Sequence, residues 1–246
     1  MKKILYIFLS LLPLLASAQI TETQQEKPKC MFVADLGYEH STSNGHMALS
    51  QMRIKWDAAK WFRLTAGLKV TTKNIYHFTA RGDFKLPIDE TKYVGLRNQY
   101  IYNIYANAKS LSTMNLNMSI AADYSMDYLY VATGCMWNYK MPLVKEQAEN
   151  ISGLGWQCSW LYEILLWARP KKADWNIGAE VSNMNSFSMQ DWKSPSFTIR
   201  GTHKIQPKYS SLPFNITWEA ECKTKTVDKT LTYNGANAKI GIECYF

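Results

Sequence analysis

Apolar and polar residues alternate along most of this chain, with the period of an extended strand rather than that of a helix. The clearest stretch is 62 to 71, where Phe62, Leu64, Ala66, Leu68 and Val70 stand against Arg63, Thr65, Gly67, Lys69 and Thr71. The same rhythm predicts a first strand over Met31 to His40, with Phe32, Ala34, Leu36 and Tyr38 on one face and Val33, Asp35, Gly37 and Glu39 on the other. Asn44-Gly45 is a hairpin signal, after which Met52, Ile54 and Trp56 return against Gln51, Arg53 and Lys55. A fourth segment sets Tyr76, Phe78, Ala80 and Phe84 against His77, Thr79, Arg81 and Asp83. Further segments are predicted at 97 to 107, 114 to 123, 128 to 137, 157 to 166, 175 to 182, 197 to 205, 214 to 223 and 237 to 246; the faces of the seventh, 128 to 137, are not assigned by the pattern.

Twelve segments make an even count, which brings both termini to one end. Tight reversals are predicted at 57 to 60, 124 to 127, 169 to 174 and 206 to 213, and long connections at 139 to 155, 183 to 195 and 224 to 235. All three long connections then fall at the end opposite the termini. The misfit is 85 to 93, where Pro87, Asp89 and Glu90 break the pattern and a long connection at the terminal end is expected. A ten-strand count, with residues of the fourth and seventh segments moved into loops, is the alternative.

Lys2 and Lys3 precede an apolar run, Ile4 to Leu15, and Ala16-Ser17-Ala18 follows it, which is the layout of a cleaved export signal. The run is about a dozen residues, against the roughly 20 of a spanning helix. Residues 1-18 are thus read as a signal peptide, 19-30 as a short N-terminal periplasmic segment, and 31-246 as a single domain. Although 47% of the chain is hydrophobic, beyond the signal its apolar residues sit at every second position, as a closed barrel in lipid requires. The net charge of +8 falls to +6 without Lys2 and Lys3, and the basic residues are scattered singly, so nucleic acid is not the expected partner. Five cysteines match no zinc spacing. Cys135 and Cys158 are the expected pair if any cysteines oxidise in an exported protein; alternatively Cys158, Cys222 and Cys244 are small apolar residues facing lipid.

The last segment alternates Ala238, Ile240, Ile242, Cys244 and Phe246 with Asn237, Lys239, Gly241, Glu243 and Tyr245, and the sequence ends on an aromatic. Such a strand resembles the C-terminal signature of Gram-negative outer-membrane β-barrel proteins. The resemblance implies an all-β fold, a transmembrane antiparallel up-and-down barrel of 12 strands (alternatively 10), in the cell outer membrane with both termini periplasmic. It further implies contact with outer-membrane lipids and lipopolysaccharide, and recognition of Phe246 as an assembly signal by the barrel-assembly machinery. No motif of a characterised enzyme or channel family accompanies it, and no cofactor or metal is expected.

In such a barrel the polar face lines the lumen. The predicted lumen-lining charges are Asp35, Arg53, Lys55, Arg63, Lys69, Arg81, Asp83, Glu163, Glu180, Arg200, Lys204, Glu219, Glu221, Lys239 and Glu243, with Glu39, Arg97, Asp123 and Lys223 on the same face. Two readings follow: a salt-bridged plug, or a narrow charged channel open to small anionic solutes. For catalysis only His40, beside Glu39, Ser41 and Ser43, offers a base near hydroxyls, and serines beside an Asn-Gly turn are ordinary turn chemistry. The functional expectation is a porin-like channel or structural barrel. The alternatives are a lipid-modifying enzyme acting on lipid A or phospholipid, and a surface-loop interaction or adhesion protein.

Overall fold

The computed structural model describes residues 30–144, 148–149, 151–168, 170, 173–184, 191–205 and 214–246. The expected signal peptide, the N-terminal segment up to residue 29 and the 206 to 213 turn lie outside the described residues.

Twelve antiparallel strands follow one another in chain order: β1 (Cys30–Ser41), β2 (Gly45–Ala59), β3 (Phe62–Thr71), β4 (Ile75–Pro87), β5 (Lys92–Tyr105), β6 (Thr113–Ser125), β7 (Leu129–Pro142), β8 (Gly155–Ala168), β9 (Trp175–Ser182), β10 (Ser196–Ile205), β11 (Phe214–Val227) and β12 (Thr230–Tyr245). Each pairs with its neighbours in sequence, and β1 pairs with β12, so the sheet is a closed barrel. The closing register runs from Met31 opposite Tyr245 to Ser41 opposite Gly235. Reciprocal backbone bonds between Cys30 and Phe246, at 3.1 and 2.8 Å, extend it by one residue. The pairing therefore leaves no open edge, which is the condition for a sheet in hydrocarbon.

The fourth and seventh segments are full strands, which rules out the ten-strand count. The expected long connection at 85 to 93 is a tight turn, because β4 continues to Pro87 and β5 starts at Lys92. Pro87 is tolerated because it closes its strand. The amides of Ile88 and Asp89 then donate to the Lys92 carbonyl at 2.8 and 3.1 Å. The loop expected at 224 to 235 is likewise a tall hairpin. Its two-residue turn, Asp228 and Lys229, has φ of 48° and 65°, the left-handed pair of a type I′ connection. A register shift between Lys223 and Thr224 bends the hairpin where it leaves the barrel. The connection expected at 139 to 155 shortens to 143 to 154, since β7 runs on to Pro142 and β8 starts at Gly155.

The outward face is apolar around the barrel. Leu36, Ile240 and Trp156 are each more than 60% exposed, and Leu64, Tyr100, Ile120, Trp137, Ile164, Ile177, Ile199 and Trp218 are exposed with them. Water-soluble monomers rarely carry a contiguous apolar patch beyond a few hundred Å², whereas such a belt edged by aromatics is what a bilayer solvates. No helix among the described residues is long and apolar enough to cross a membrane. All five cysteines are free. Cys135 lies opposite Trp160 and Cys158 opposite Trp137, so the expected pair is diagonal on the outer face and unbridged.

The interior divides into two sides. On the β6 to β8 wall, Ala121, Ala132, Met136 and Leu161 pack with Met184, which follows β9, and Tyr130 lies against them. The remaining wall, β1 to β4 and β9 to β12, bounds an open space.

Candidate functional site

That open space is a cavity of about 720 Å³. It runs past Met47 to Lys55 on β2 and past Thr71 to Arg63 on β3, most of the height of both strands. At the end away from the termini its lining includes the turn residues Ser43 and Asn44 and the hairpin residues Thr226 and Asn234. Alternation along each strand delivers the polar side chains inward, and antiparallel register sets them in rows. Lys55, Thr65 and Arg81 form one row across β2, β3 and β4. Asp57, Arg63, Asp83 and Arg97 form the next, toward the end that bears the termini.

The charges pair within and across the rows. Arg63 grips Asp57 through two nitrogens, at 2.5 and 3.1 Å. Arg81 donates to Asp83 at 2.7 Å and Arg53 to Asp35 at 3.1 Å. On the far wall Lys239 meets Glu219 at 2.6 Å, and Arg200 pairs with Glu180. Glu39 of β1 holds Lys69 of β3 through one oxygen and Lys223 of β11, at 3.2 Å, through the other. Arg97 has the most acidic neighbours. Its guanidinium donates to Tyr130 Oη at 2.7 Å and has Asp123, Asp83 and Glu163 within 3.5 to 3.8 Å, while Tyr130 donates to Asp123 at 2.9 Å. Three acids and a phenol around one arginine form a buried ionic cluster on the β5 to β8 side of the lumen, in which Asp123 Oδ2 has no hydrogen-bond partner.

Of the residues expected in the lumen, Arg53, Lys55, Arg63, Lys69, Arg81, Asp83, Glu163, Glu180, Arg200, Glu219, Glu221 and Lys239 line the cavity. Asp35 is on the inner face but 5% exposed, accepting from Gln51 at 2.6 Å as well as from Arg53. Glu243 lies below the cavity and accepts from Asn215 at 3.0 Å, and Lys204 is opposite Asn215 in the register. Glu39 and Lys223, expected on the same face, line it too, and Lys225 and Asp191 join them, giving nine Lys or Arg against seven Asp or Glu. Lys225 and Asp191 fall in stretches whose sequence reads as loop, so periodicity gives no sign of them. Lys55 makes no ion pair among the described residues, although Arg53, Arg63 and Arg81 surround it in the rows.

The four candidates for catalysis do not form a site. Glu39 points into the lumen and is bound to two lysines, whereas the next residue, His40, faces outward with its Nδ1 2.8 Å from Tyr233 Oη. Ser41 Oγ lies 2.8 Å from Ser43 Oγ and accepts from the amides of Ser43 and Asn44 at 3.2 Å. This is turn chemistry, and neither serine has a base beside it. His77 is tied to Asn103 at 2.6 Å. Among the described residues no group of three or more His, Cys, Asp or Glu is placed to hold a metal.

No protein-family model and no curated protein sequence matches the chain. Comparison of structures does find similar folds. The barrel is similar to the KdgM porin in complex with disordered oligogalacturonate, at 10% identity and a TM-score of 0.54, covering 87% of this chain and 99% of that one. It is similar also to the NanC porin, at 6% identity and a TM-score of 0.57, covering 87% of this chain and 98% of that one. The chain has a porin-type barrel fold. At these identities the likeness is one of architecture.

Proposed function

We propose that this protein is a porin-like channel of the outer membrane that passes small anionic solutes. The observation that carries the reading is Lys55: a cation on the cavity wall with no ion pair among the described residues, in a row with Arg81 and flanked by Arg53 and Arg63. Those three arginines have carboxylates opposite them, so they hold the wall in place. Lys55 is left to attract a passing anion. In a narrow passage with low-dielectric walls such a field is focused along the path.

The opposite wall carries Glu180, Glu219 and Glu221 paired with Arg200, Lys239 and Lys223, so the cationic excess lies on the β2 to β4 side. A solute carrying both carboxylates and hydroxyls is oriented between the two, its anionic edge toward β2 to β4. The oligogalacturonate of the KdgM complex is an acidic saccharide, which supports acidic saccharides as the solute class.

In this reading the apolar belt lies in the bilayer and both termini are periplasmic. The short turn at 88 to 91 supports that orientation, as do the longer connections and the tall β11–β12 hairpin at the other end. Outer-membrane lipids and lipopolysaccharide then surround the exterior, and Phe246 is the mark read by the barrel-assembly machinery. The test is reconstitution of the purified protein in planar bilayers, with reversal potentials in a salt gradient and block by oligogalacturonate compared with a neutral oligosaccharide. Anion-selective conductance blocked by the acidic sugar supports the reading.

A further inference from the structure

Two histidines stand side by side outside the lumen, and the channel reading makes no use of them. His40 on β1 and His46 on β2 are direct partners in the register. Cross-strand partners project from the same face, here the outward one, just past Leu36 and Tyr38 at the end of the apolar belt. Their ring centroids are 4.5 Å apart, with the planes at 39°. Each Nδ1 is engaged by a phenol. His40 Nδ1 lies 2.8 Å from Tyr233 Oη, and His46 Nδ1 contacts Tyr38 Oη.

The consequence is chemical. With both Nδ1 atoms occupied, each imidazole offers Nε2 as its free ligand atom, and the phenols hold the rings in orientation. A metal-bound histidine has this layout: one nitrogen on the ion, the other bonded to an oxygen that fixes the tautomer. A metal–nitrogen bond of about 2.0 Å puts the ion roughly 3.2 Å from a ring centre, so two imidazoles on neighbouring positions of a tetragonal ion such as Cu²⁺ have centres about 4.5 Å apart, against about 5.2 Å on a tetrahedral one. The observed separation agrees.

We infer that His40 and His46 form a two-imidazole site for a divalent transition metal at the rim of the barrel. The remaining coordination positions go to water or an exogenous ligand, because Glu39 points inward and no third ligand joins the pair among the described residues. Among first-row ions Cu²⁺ binds such nitrogen sites most tightly, which makes it the probe.

The experiment is titration of the folded barrel in detergent with Cu²⁺, read by electron paramagnetic resonance. One equivalent should give a signal coupled to two nitrogens. His40→Ala and His46→Ala should each weaken binding at least tenfold, and Tyr233→Phe should weaken it by roughly tenfold as a loss of orientation. Heat-modifiable gel mobility establishes that each variant is folded. A second measurement needs no variant: Cu²⁺ should protect both histidines of the unaltered protein from diethyl pyrocarbonate, read by peptide mass. Absence of a two-nitrogen signal, its persistence in the double alanine variant, or unprotected histidines would each overturn the site and leave only stacked aromatic rings.

Discussion

Lys223 Nζ lies 3.2 Å from Glu39 Oε1, although β12 runs between their strands. Lys69 reaches the other oxygen of the same carboxylate from beyond β2. Glu39 thus ties together five adjacent strands, β11 to β3, across the seam where the first and last strands meet. Replacing it with Gln keeps the shape but takes the carboxylate from Lys69 and leaves Lys223 with Glu221 alone, at 3.8 Å. Breaking one side of a buried pair costs roughly 3–5 kcal/mol, and lumen water places this case near the lower end. Glu39→Gln should therefore unfold at clearly lower urea concentration, followed by tryptophan fluorescence.

Lys55→Glu reverses a cation of the cavity wall that lacks an ion pair among the described residues. The barrel should fold as before, since no partner is orphaned. The ratio of anion to cation permeability should fall severalfold, read as a shift of the reversal potential in a salt gradient.

Gly241 sits in the seam beneath Asp35. A Cβ there would collide with Asp35 Oδ1 and lie 2.5 Å from the Ala34 carbonyl, and the backbone oxygen cannot step aside. Gly241→Ala should destabilise the barrel by roughly 1–3 kcal/mol. Gly82→Ala is the control. Its Cβ would meet only aromatic and aliphatic carbons at 3.5 Å or more, so thermal stability should barely move.

The Asp89 carboxylate accepts from the Thr91 amide, the Thr91 hydroxyl and the Lys92 amide at 2.8 to 2.9 Å. These bonds in the β4–β5 turn hold its pKa down, to about 2. A depressed carboxyl contributes stability at pH values above the usual carboxylate range and loses it as pH falls through about 2. Carbon NMR of the labelled Asp89 carboxyl should show that low titration, and Thr91→Ala should move it upward.

Deleting Phe246 removes the reciprocal backbone bonds with Cys30 at the start of the seam. The truncated chain should insert poorly in cells, measured as heat-modifiable protein in the membrane fraction. Whatever does insert should conduct as the full chain does.

Strand identity was legible wherever one face met lipid and the other met the polar lumen, as in β3. The assignment of faces, or of the strand itself, was lost where the two environments matched. On β7 the inward residues Ala132 and Met136 pack in the apolar cluster while Val131 and Trp137 face outward, so both faces are apolar and alternation vanishes. At 224 to 234 the hairpin rises past the apolar belt, Leu231 and Tyr233 are too few among the threonines and lysines to set a period, and the Asp228-Lys229 turn carries no glycine to announce it. At 85 to 93 Pro87 has the look of a break and is a strand end. In the lumen, period two tells which charges point inward. It cannot tell which ones meet, because Glu39 reaches Lys69 and Lys223 over intervening strands. The apolar filling has one visible sign, the unbroken run Ile164-Leu165-Leu166-Trp167 on β8, where Leu165 turns inward as Leu161 does four residues earlier.

The most direct measurement is single-channel recording of the purified barrel in a planar bilayer under a potassium chloride gradient. Stable conductance steps with a reversal potential on the chloride side are expected, as is a drop in that preference for Lys55→Glu. A folded, inserted barrel that stays electrically silent, or one that prefers potassium, would contradict an anion channel.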